Sequence, residues 1–425
     1  MSLADVLEKL YTRRRFGIRP GVDRVSTLLA RLGNPEKNFR SIHVVGTNGK
    51  GSTSAFLSSI LTNAGYRTAQ FSSPHLVRFT ERFRINSEEY PADRLADCLE
   101  TVLDAAPPEA TFFEITTALA ALVFSTENVE IAVMEAGMGG RSDATAAISS
   151  EMTIITPISF DHAEYLGATL PDIAREKAGI VEAGTTVVCA EQAETVLAVI
   201  RQQSELGNNS LYCCGKDFSV TWNKSGTLDY SGIKRVLPGL TPGIPGNYQG
   251  QNAALAVAAA EVLDSAGTAI SSSALEHGLS SAHWPGRMEL IPGTPPLLLD
   301  GAHNSAGATA LAEALADYSR NRLLLVTGVC ADKDIDQIYA PLMPLVDRIY
   351  TVTPLVERAL QDQDLSRFFT AKGFVSRPCG TVLNGIGVAQ SEALPGDLIL
   401  VCGSLFVVGE VKAWLENVNY TGVRG

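Results

Sequence analysis

The chain reads as an α/β protein: a large N-terminal domain on a mostly parallel sheet, then a smaller Rossmann-like α/β domain. Three observations predict this. From residue 41 onward, short β-branched and apolar runs alternate with stretches of helical spacing. That alternation belongs to a parallel sheet covered by helices on both faces. One strand-to-helix junction is a glycine-rich turn at residues 46–51, and a second α/β rhythm begins near residue 290. The length of 425 residues suits this plan, since about two to three domains are expected of such a chain.

The elements follow in order. Residues 41–45 read as a buried strand and residues 50–64 as a helix ended by Gly65. Residues 67–71 are again strand-like, and 94–103 and 116–124 have helical spacing. Residues 130–134 and 152–155 read as buried strands, and 185–189 as a strand followed by a helix over 194–203. Residues 210–242 are richer in turn residues, with alternation around 218–222 and 228–230, and read as a small antiparallel excursion. Residues 252–263 form an alanine-rich helix. The segment His283-Trp284-Pro285-Gly286-Arg287 has the punctuation of a linker, which divides the chain into residues 1–285 and 286–425. Beyond it, residues 297–299, 323–326, 348–352 and 398–401 are strand candidates. Helical stretches separate them, including 306–316, and a helix over 406–415 closes the pattern.

Composition narrows the function. Hydrophobic residues make up 45% and charged residues 19%, ordinary for a globular core. No apolar run approaches the roughly 18 residues of a membrane span, and acidic residues stand near the N-terminus where a signal peptide would carry basic ones. The seven cysteines are scattered and form no CxxC pair, which argues against a disulfide framework or a zinc site. The reading is a cytoplasmic protein with no membrane partner. A net charge of −12 argues against nucleic-acid binding. Anionic ligands would then need local positive groups: Lys50, helix N-termini, bound Mg²⁺ and a few arginines. The dense basic run Arg13-Arg14-Arg15 reads as a solvated helix face.

The densest chemistry lies at Gly46-Thr47-Asn48-Gly49-Lys50-Gly51-Ser52-Thr53. Strand, glycine turn, lysine, hydroxyl pair and helix together make a phosphate cradle, the P-loop of an ATPase domain. Glycines let backbone N–H groups converge on phosphate oxygens, and the helix N-terminus adds partial positive charge. Lys50 would reach the β/γ-phosphates, with Ser52 or Thr53 near the metal. Further motifs follow other strands, where α/β proteins bind ligands: Ser72-Ser73-Pro74-His75-Leu76, Glu135 with its glycine-rich turn, and Asp161-His162. Ser73, Glu135 and His162 are candidate neighbours in space for a magnesium site, although an imidazole more often serves softer metals.

These residues together resemble folylpolyglutamate synthase and dihydrofolate synthase, of the Mur ligase superfamily. The resemblance runs nearly end to end. It is carried by Arg15-Phe16-Gly17-Ile18, the phosphate loop, Ser73-Pro74-His75-Leu76, Thr111-Phe112-Phe113-Glu114 and the run from Glu135 to Thr145. It continues through Asp161-His162, Glu176-Lys177-Ala178-Gly179-Ile180, Asp300-Gly301-Ala302-His303-Asn304, Asp332-Lys333-Asp334 and Gly403-Ser404-Leu405-Phe406.

The resemblance implies an ATP-dependent amide ligase that adds L-glutamate to dihydropteroate, to the glutamate tail of a reduced folate, or to both. The phosphate loop, Asn252, Arg287 and Asp300 would contact ATP. Ser73, Glu135 and His162 would hold one Mg²⁺, and Lys177, carbamylated, would help hold a second. Taken alone, Lys177 reads as a solvated helix lysine paired with Glu176 or Glu182. Phe113, Asp143 and Ala144 would hold the pterin ring, although a phenylalanine at helical spacing is ordinarily core. His303 and Ser404 would receive the incoming glutamate, and Lys50, Lys177, Asp300 and His303 would carry the chemistry. The family is usually monomeric. Ser142 and Ala146 depart from the family's usual leucine and asparagine beside the pterin residues. A Mur-family ligase acting on a different carboxylate is the rival reading. A non-catalytic P-loop module ranks last, because Asn223-Lys224-Ser225-Gly226 lacks the aspartate of a guanine-specifying motif.

Overall fold

Residues 40–45 show why the first sheet lies at the centre of its domain. Ile42, Val44 and Val45 are β-branched, and every residue from Ser41 to Val45 is buried, as in a strand covered on both faces. The computed structural model describes residues 2–12, 21–223, 225–420 and 422. Its first eight strands are β1 (Arg40–Val45), β2 (Thr68–Phe71), β3 (Phe83–Ile85), β4 (Glu88–Glu89), β5 (Ile131–Glu135), β6 (Met152–Ile155), β7 (Thr186–Cys189) and β8 (Ser210–Cys213). They form one sheet in the order β4-β3-β2-β5-β1-β6-β7-β8. The pairs from β2 to β8 are parallel, and only the β3 and β4 edge runs antiparallel.

Alternation along the strands sorts the two faces. Ile42, Val44, Ile131 and Val133 share a core with the helices Lys50–Asn63, Gln249–Ser265 and Ser272–Ser281. Ala69, Phe71, Ala132 and Met134 face the opposite core, with the helices Ala92–Ala105 and Phe112–Thr126. The helix Lys50–Asn63 is enclosed on nearly all sides, and its small buried residues Ser54, Ser58 and Ser59 admit close neighbours. Gly278 meets it backbone to backbone: a Cβ there would lie 2.4 Å from Ile60 Cα.

Strands β9 (Ser219–Trp222), β10 (Leu228–Ser231) and β11 (Val236–Leu240) make a separate antiparallel sheet. The second α/β unit holds β12 (Glu289–Ile291), β13 (Leu297–Leu299), β14 (Leu323–Thr327), β15 (Arg348–Thr351), β16 (Ser376–Pro378) and β17 (Leu398–Cys402). Their order is β12-β13-β17-β14-β15-β16, with β12 alone antiparallel.

The mixed α/β class and the mostly parallel first sheet agree with the sequence reading. Three features differ from it. Ser210–Cys213 is the parallel edge of the main sheet rather than part of the antiparallel excursion, which begins at Ser219. Cys213 faces the same core as Ile200, so this segment completes the βα winding. The second sheet has six strands where four were expected. Its edge strands β12 and β16 have three residues each, too few to display a period, and β16 ends in Pro378, which suits an edge. The helices Leu3–Tyr11 and Asp23–Arg31 lie in the first 40 residues, for which the sequence analysis assigned no elements. The Arg13-Arg14-Arg15 cluster, the Arg15-Phe16-Gly17-Ile18 motif and Lys224 lie outside the described residues.

Candidate active site

Parallel strands end on one side, so the loops after β1, β2, β5 and β6 collect along one edge of the first sheet. The loops after β13, β14 and β17 do the same on the second sheet. The two edges face each other across a cavity of about 980 Å³.

The β1 loop cannot be built without glycine at two points. Gly46 has φ 151°, and a Cβ on it would fall 1.9 Å from Thr156 Oγ1. Gly49, at φ 87°, precedes the helix Lys50–Asn63, and its Cβ would fall 2.2 Å from Asn252 Oδ1. No side chain caps this helix, so its first N–H groups remain for an anion. Lys50 Nζ donates to the carbonyls of Gly46 at 3.3 Å and Thr47 at 3.2 Å. Thr47 binds the β6 loop three times: its N–H donates to Pro157 O, its hydroxyl to Ser159 O, and it accepts from Ser159 N–H.

Glu135 ends β5 as a buried carboxylate. Burial pushes it up to about 7, against the pull of Lys50, a Ser73 backbone hydrogen bond, Arg287 and Arg82. Lys177 is buried, and its Nζ donates to Gly46 O at 2.8 Å. Burial first, and then the charge of Lys50, lowers it to about 7, so a large fraction of this amine is neutral near neutral pH. His162 has φ 51°, a left-handed conformation that histidine tolerates better than most residues. Its N–H donates to Asp161 Oδ1 at 3.0 Å, which holds the turn. The imidazole is lowered to about 4, by desolvation first, so it presents a lone pair at neutral pH. Burial alone would raise the Asp161 carboxyl. The neighbouring His303 and His162 and the Lys333 ammonium bonded to Oδ1 instead hold it well below the usual range.

On another wall, Phe113 lies over Gly137, where a Cβ would come within 2.4 Å of the ring. Asp143 accepts from the N–H of Met138, and from the N–H and hydroxyl of Thr145. Burial raises its pKa against these bonds. On the second sheet, Asp300 accepts from the Tyr248 hydroxyl at 2.8 Å, Met288 N–H at 3.0 Å and Ala302 N–H at 2.9 Å. His303 Nδ1 lies 2.8 Å from Gly301 O, so Nδ1 carries a proton, and Nε2 lies 3.7 Å from Asp161 Oδ2. Gly301 gives Arg287 room: a Cβ there would sit 2.6 Å from its Nη1. Ser404 caps the helix Leu405–Leu415 through Phe406 N–H.

The structure brings nearly all the expected residues to this one cavity: Gly46 through Ser52, Ser73, Phe113, Glu135, Asp143, Ala144, His162, Lys177, Asn252, Arg287, Asp300, His303 and Ser404. Thr53 is not among them. It is fully buried one helical step beyond Ser52, and its hydroxyl has no hydrogen-bond partner, which leaves Ser52 as the hydroxyl facing the cavity. Sequence reasoning gave no role to Asp161, Lys333 or Arg82, which line the same space. Asp161 and Lys333 belong to the Asp161-His162 and Asp332-Lys333-Asp334 motifs, but their pairing is visible only in three dimensions. Arg82 is a buried guanidinium that donates to His75 Nδ1 at 2.8 Å and lies over Phe79 and Phe112. Burial lowers it to about 10.

This arrangement, a phosphate cradle facing an acceptor loop across two α/β units, is that of a Mur ligase. The Mur ligase middle domain matches residues 44–260, and the Mur ligase glutamate ligase domain matches residues 286–405. The dihydrofolate synthase/folylpolyglutamate synthase of Bacillus subtilis is 34% identical, over 97% of this chain and 99% of that one. A solved structure of E. coli FolC in complex with DHPP and ADP superposes with a TM-score of 0.91 at 31% identity, covering 98% of each chain. A bifunctional folylpolyglutamate synthase/dihydrofolate synthase with Mn, AMPPNP and L-glutamate bound gives 0.87 at 30% identity, again over 98% of each chain. The chain spans about half, 51%, of a probable bifunctional folylpolyglutamate synthase/dihydropteroate synthase of Halobacterium salinarum, to which it is 34% identical over 96% of its own length. The chain belongs to the folylpolyglutamate synthase/dihydrofolate synthase family, and it is an ATP-dependent ligase.

Proposed function

We propose that this enzyme joins the amino group of L-glutamate to the carboxylate of dihydropteroate, and to the terminal glutamate of reduced folates, through an acyl phosphate. One observation carries the reading: the phosphate loop, the Phe113-Asp143-Ala144 wall and the separate loops that carry His303 and Ser404 open into a single cavity. The acceptor carboxylate attacks the γ-phosphorus and ADP leaves. The glutamate amine then attacks the acyl carbon, and phosphate leaves as the amide forms. Phosphoryl transfer is chiefly positioning and electrostatics, and Lys50 and Arg287 supply positive charge from this chain.

The residues fit divalent metal ions. Ser73 and Glu135 offer oxygen, and His162 offers a neutral nitrogen. Among the described residues, no three His, Cys, Asp or Glu side chains are grouped to hold a metal by themselves. The donor set would therefore be completed by Ser73, by phosphate oxygens and, at a second site, by a carbamate on Lys177. Magnesium bound there would neutralise charge on the phosphates. The neutral Lys177 amine suits carbamylation: nitrogen adds to carbon dioxide, a proton leaves, and a carboxylate-like group remains.

His303 Nε2 takes the proton of the attacking amine. Asp300 positions rather than transfers protons, because three donors already engage its oxygens. The division falls at residue 285/286, ahead of β12, the first strand of the second sheet. The enzyme acts as a monomer in the cytoplasm, a placement supported by seven free cysteines.

The test is glutamate-dependent phosphate release from MgATP, run in parallel with dihydropteroate and with tetrahydrofolate. Release with both is expected and shows that Ser142 and Ala146 serve the pterin side. Release with tetrahydrofolate alone would remove the dihydrofolate synthase half, and release with neither would overturn the reading.

A further inference from the structure

Asp161 gathers more partners from across the cavity than any residue so far given a role. Its Oδ1 accepts Lys333 Nζ at 2.7 Å and the His162 N–H at 3.0 Å. Its Oδ2 accepts Asn304 Nδ2 at 3.3 Å and lies 3.7 Å from His303 Nε2. Asp161 and His162 follow β6 of the first sheet, whereas His303, Asn304 and Lys333 follow β13 and β14 of the second. The Asp161 side chain is 10% exposed and that of Lys333 13%. An ion pair so shielded leaves a buried, uncompensated charge if one member is removed.

A second set of bonds lies beside it. Asn48 and Asn304 exchange side-chain hydrogen bonds at 3.1 and 3.0 Å. Asn304 Oδ1 also caps the helix Ser305–Ala314 through Gly307 N–H at 2.9 Å. The phosphate loop, the His162 turn and the amine-receiving loop are thus joined through two adjacent side chains, one charged and one neutral.

We propose that Asp161 is a positioning residue that sets the register between the two halves of the active site. It holds the His162 turn on one side and orients His303 and Lys333 on the other. This inference rests on the ligase reading above. Acyl carbon and amine must meet at about 3–3.5 Å, and a misplacement of about 1 Å costs on the order of 100-fold in rate. Without the carboxylate, His303 loses a partner and Lys333 its counter-ion, while the nucleotide cradle keeps its own bonds.

Asp161→Asn keeps the size and removes the charge. It should lower kcat/KM for L-glutamate by about 100-fold. The Kd for ADP, measured by calorimetry, should stay within about 2-fold of the parent. Asp161→Glu should recover part of the loss. A glutamate kcat/KM within about 3-fold of the parent in Asp161→Asn would overturn the proposal. So would equal losses for ATP and glutamate with a lowered Tm, which mark a role in folding alone. If Asp161→Asn does not fold, Asp161→Glu carries the same comparison. Small-angle scattering with bound ADP supplies a readout independent of turnover: Asp161→Asn should have a larger radius of gyration than the parent, and equal radii would count against the register. If the parent itself fails to use glutamate, the ligase reading falls, and the scattering comparison still decides the role of Asp161.

Discussion

The two edges of the cavity are built differently. On the first sheet, functional groups are tied to nearby backbone: Lys177 to Gly46 O, Thr47 to Pro157 and Ser159, Asp143 to Met138 and Thr145. On the second, His303, Asn304 and Lys333 find polar partners across the gap, on Asp161 and Asn48. The first edge is held largely by backbone of its own domain, whereas three side chains of the second reach across to the first. A site joined across a gap in this way is completed on closure, which shields a hydrolysable acyl phosphate.

The contrast can be broken most directly at Lys177. Lys177→Ala should reduce turnover by about 10²–10³-fold, with partial rescue by bicarbonate or a short carboxylic acid, read as phosphate release. Unchanged turnover would remove Lys177 from the nucleotide side altogether. The next effect is expected on the other edge. Asp300→Ala strands three donors, two of them backbone groups, at about 1–3 kcal/mol each. It should lower Tm and depress turnover together by loosening the loops that carry Arg287 and His303. Full activity at a normal Tm would show that those loops hold themselves.

Glu410 sharpens the comparison away from the chemistry. It accepts Leu355 N–H at 2.6 Å, and burial, partly offset by that bond, raises it to about 7. The neutral form is favoured in the fold, so its contribution is present at low pH and lost as pH rises from the ordinary carboxyl range through 7. Glu410→Gln should therefore raise stability at pH 8, by about 1 kcal/mol after solvent screening, and leave it unchanged at pH 4. Equal melting curves at pH 8 would refute the shift. The smallest effect is expected at Thr53. Its hydroxyl is buried without a partner, so Thr53→Val should be neutral or stabilising by about 1 kcal/mol. It should leave the KM for ATP in place, and a large rise in that KM would return Thr53 to the phosphate cradle.

Much of this was legible in the sequence where local pattern decides structure. β1, the glycine turn and the helix after it follow from β-branching, glycine spacing and apolar periodicity. The parallel α/β alternation also puts the loops after its strands at one end of the sheet, so Ser73, Glu135 and His162 could be grouped before any geometry was known. What escaped the reading depends on tertiary contact. The reach of Lys333 to Asp161 spans 172 residues, and no periodicity encodes it. The rotation of Thr53 away from the cavity depends on how deeply the helix is buried. The short strands β3, β4, β12 and β16 are held by their neighbours rather than by their own propensity.

Trp284 stands in the segment between the two α/β units, with its indole against Gly51 and the Arg84 guanidinium 5.3 Å from its ring. A Cβ on Gly51 would fall 2.7 Å from the indole nitrogen, so the tryptophan itself requires a glycine here. The phosphate loop therefore has an aromatic chromophore in van der Waals contact. Trp222 lies against Gly250, and Trp414, at 42% exposure, sits on the final helix. The emission of Trp284 is thereby a built-in optical gauge of what the nucleotide loop and the inter-domain segment do together.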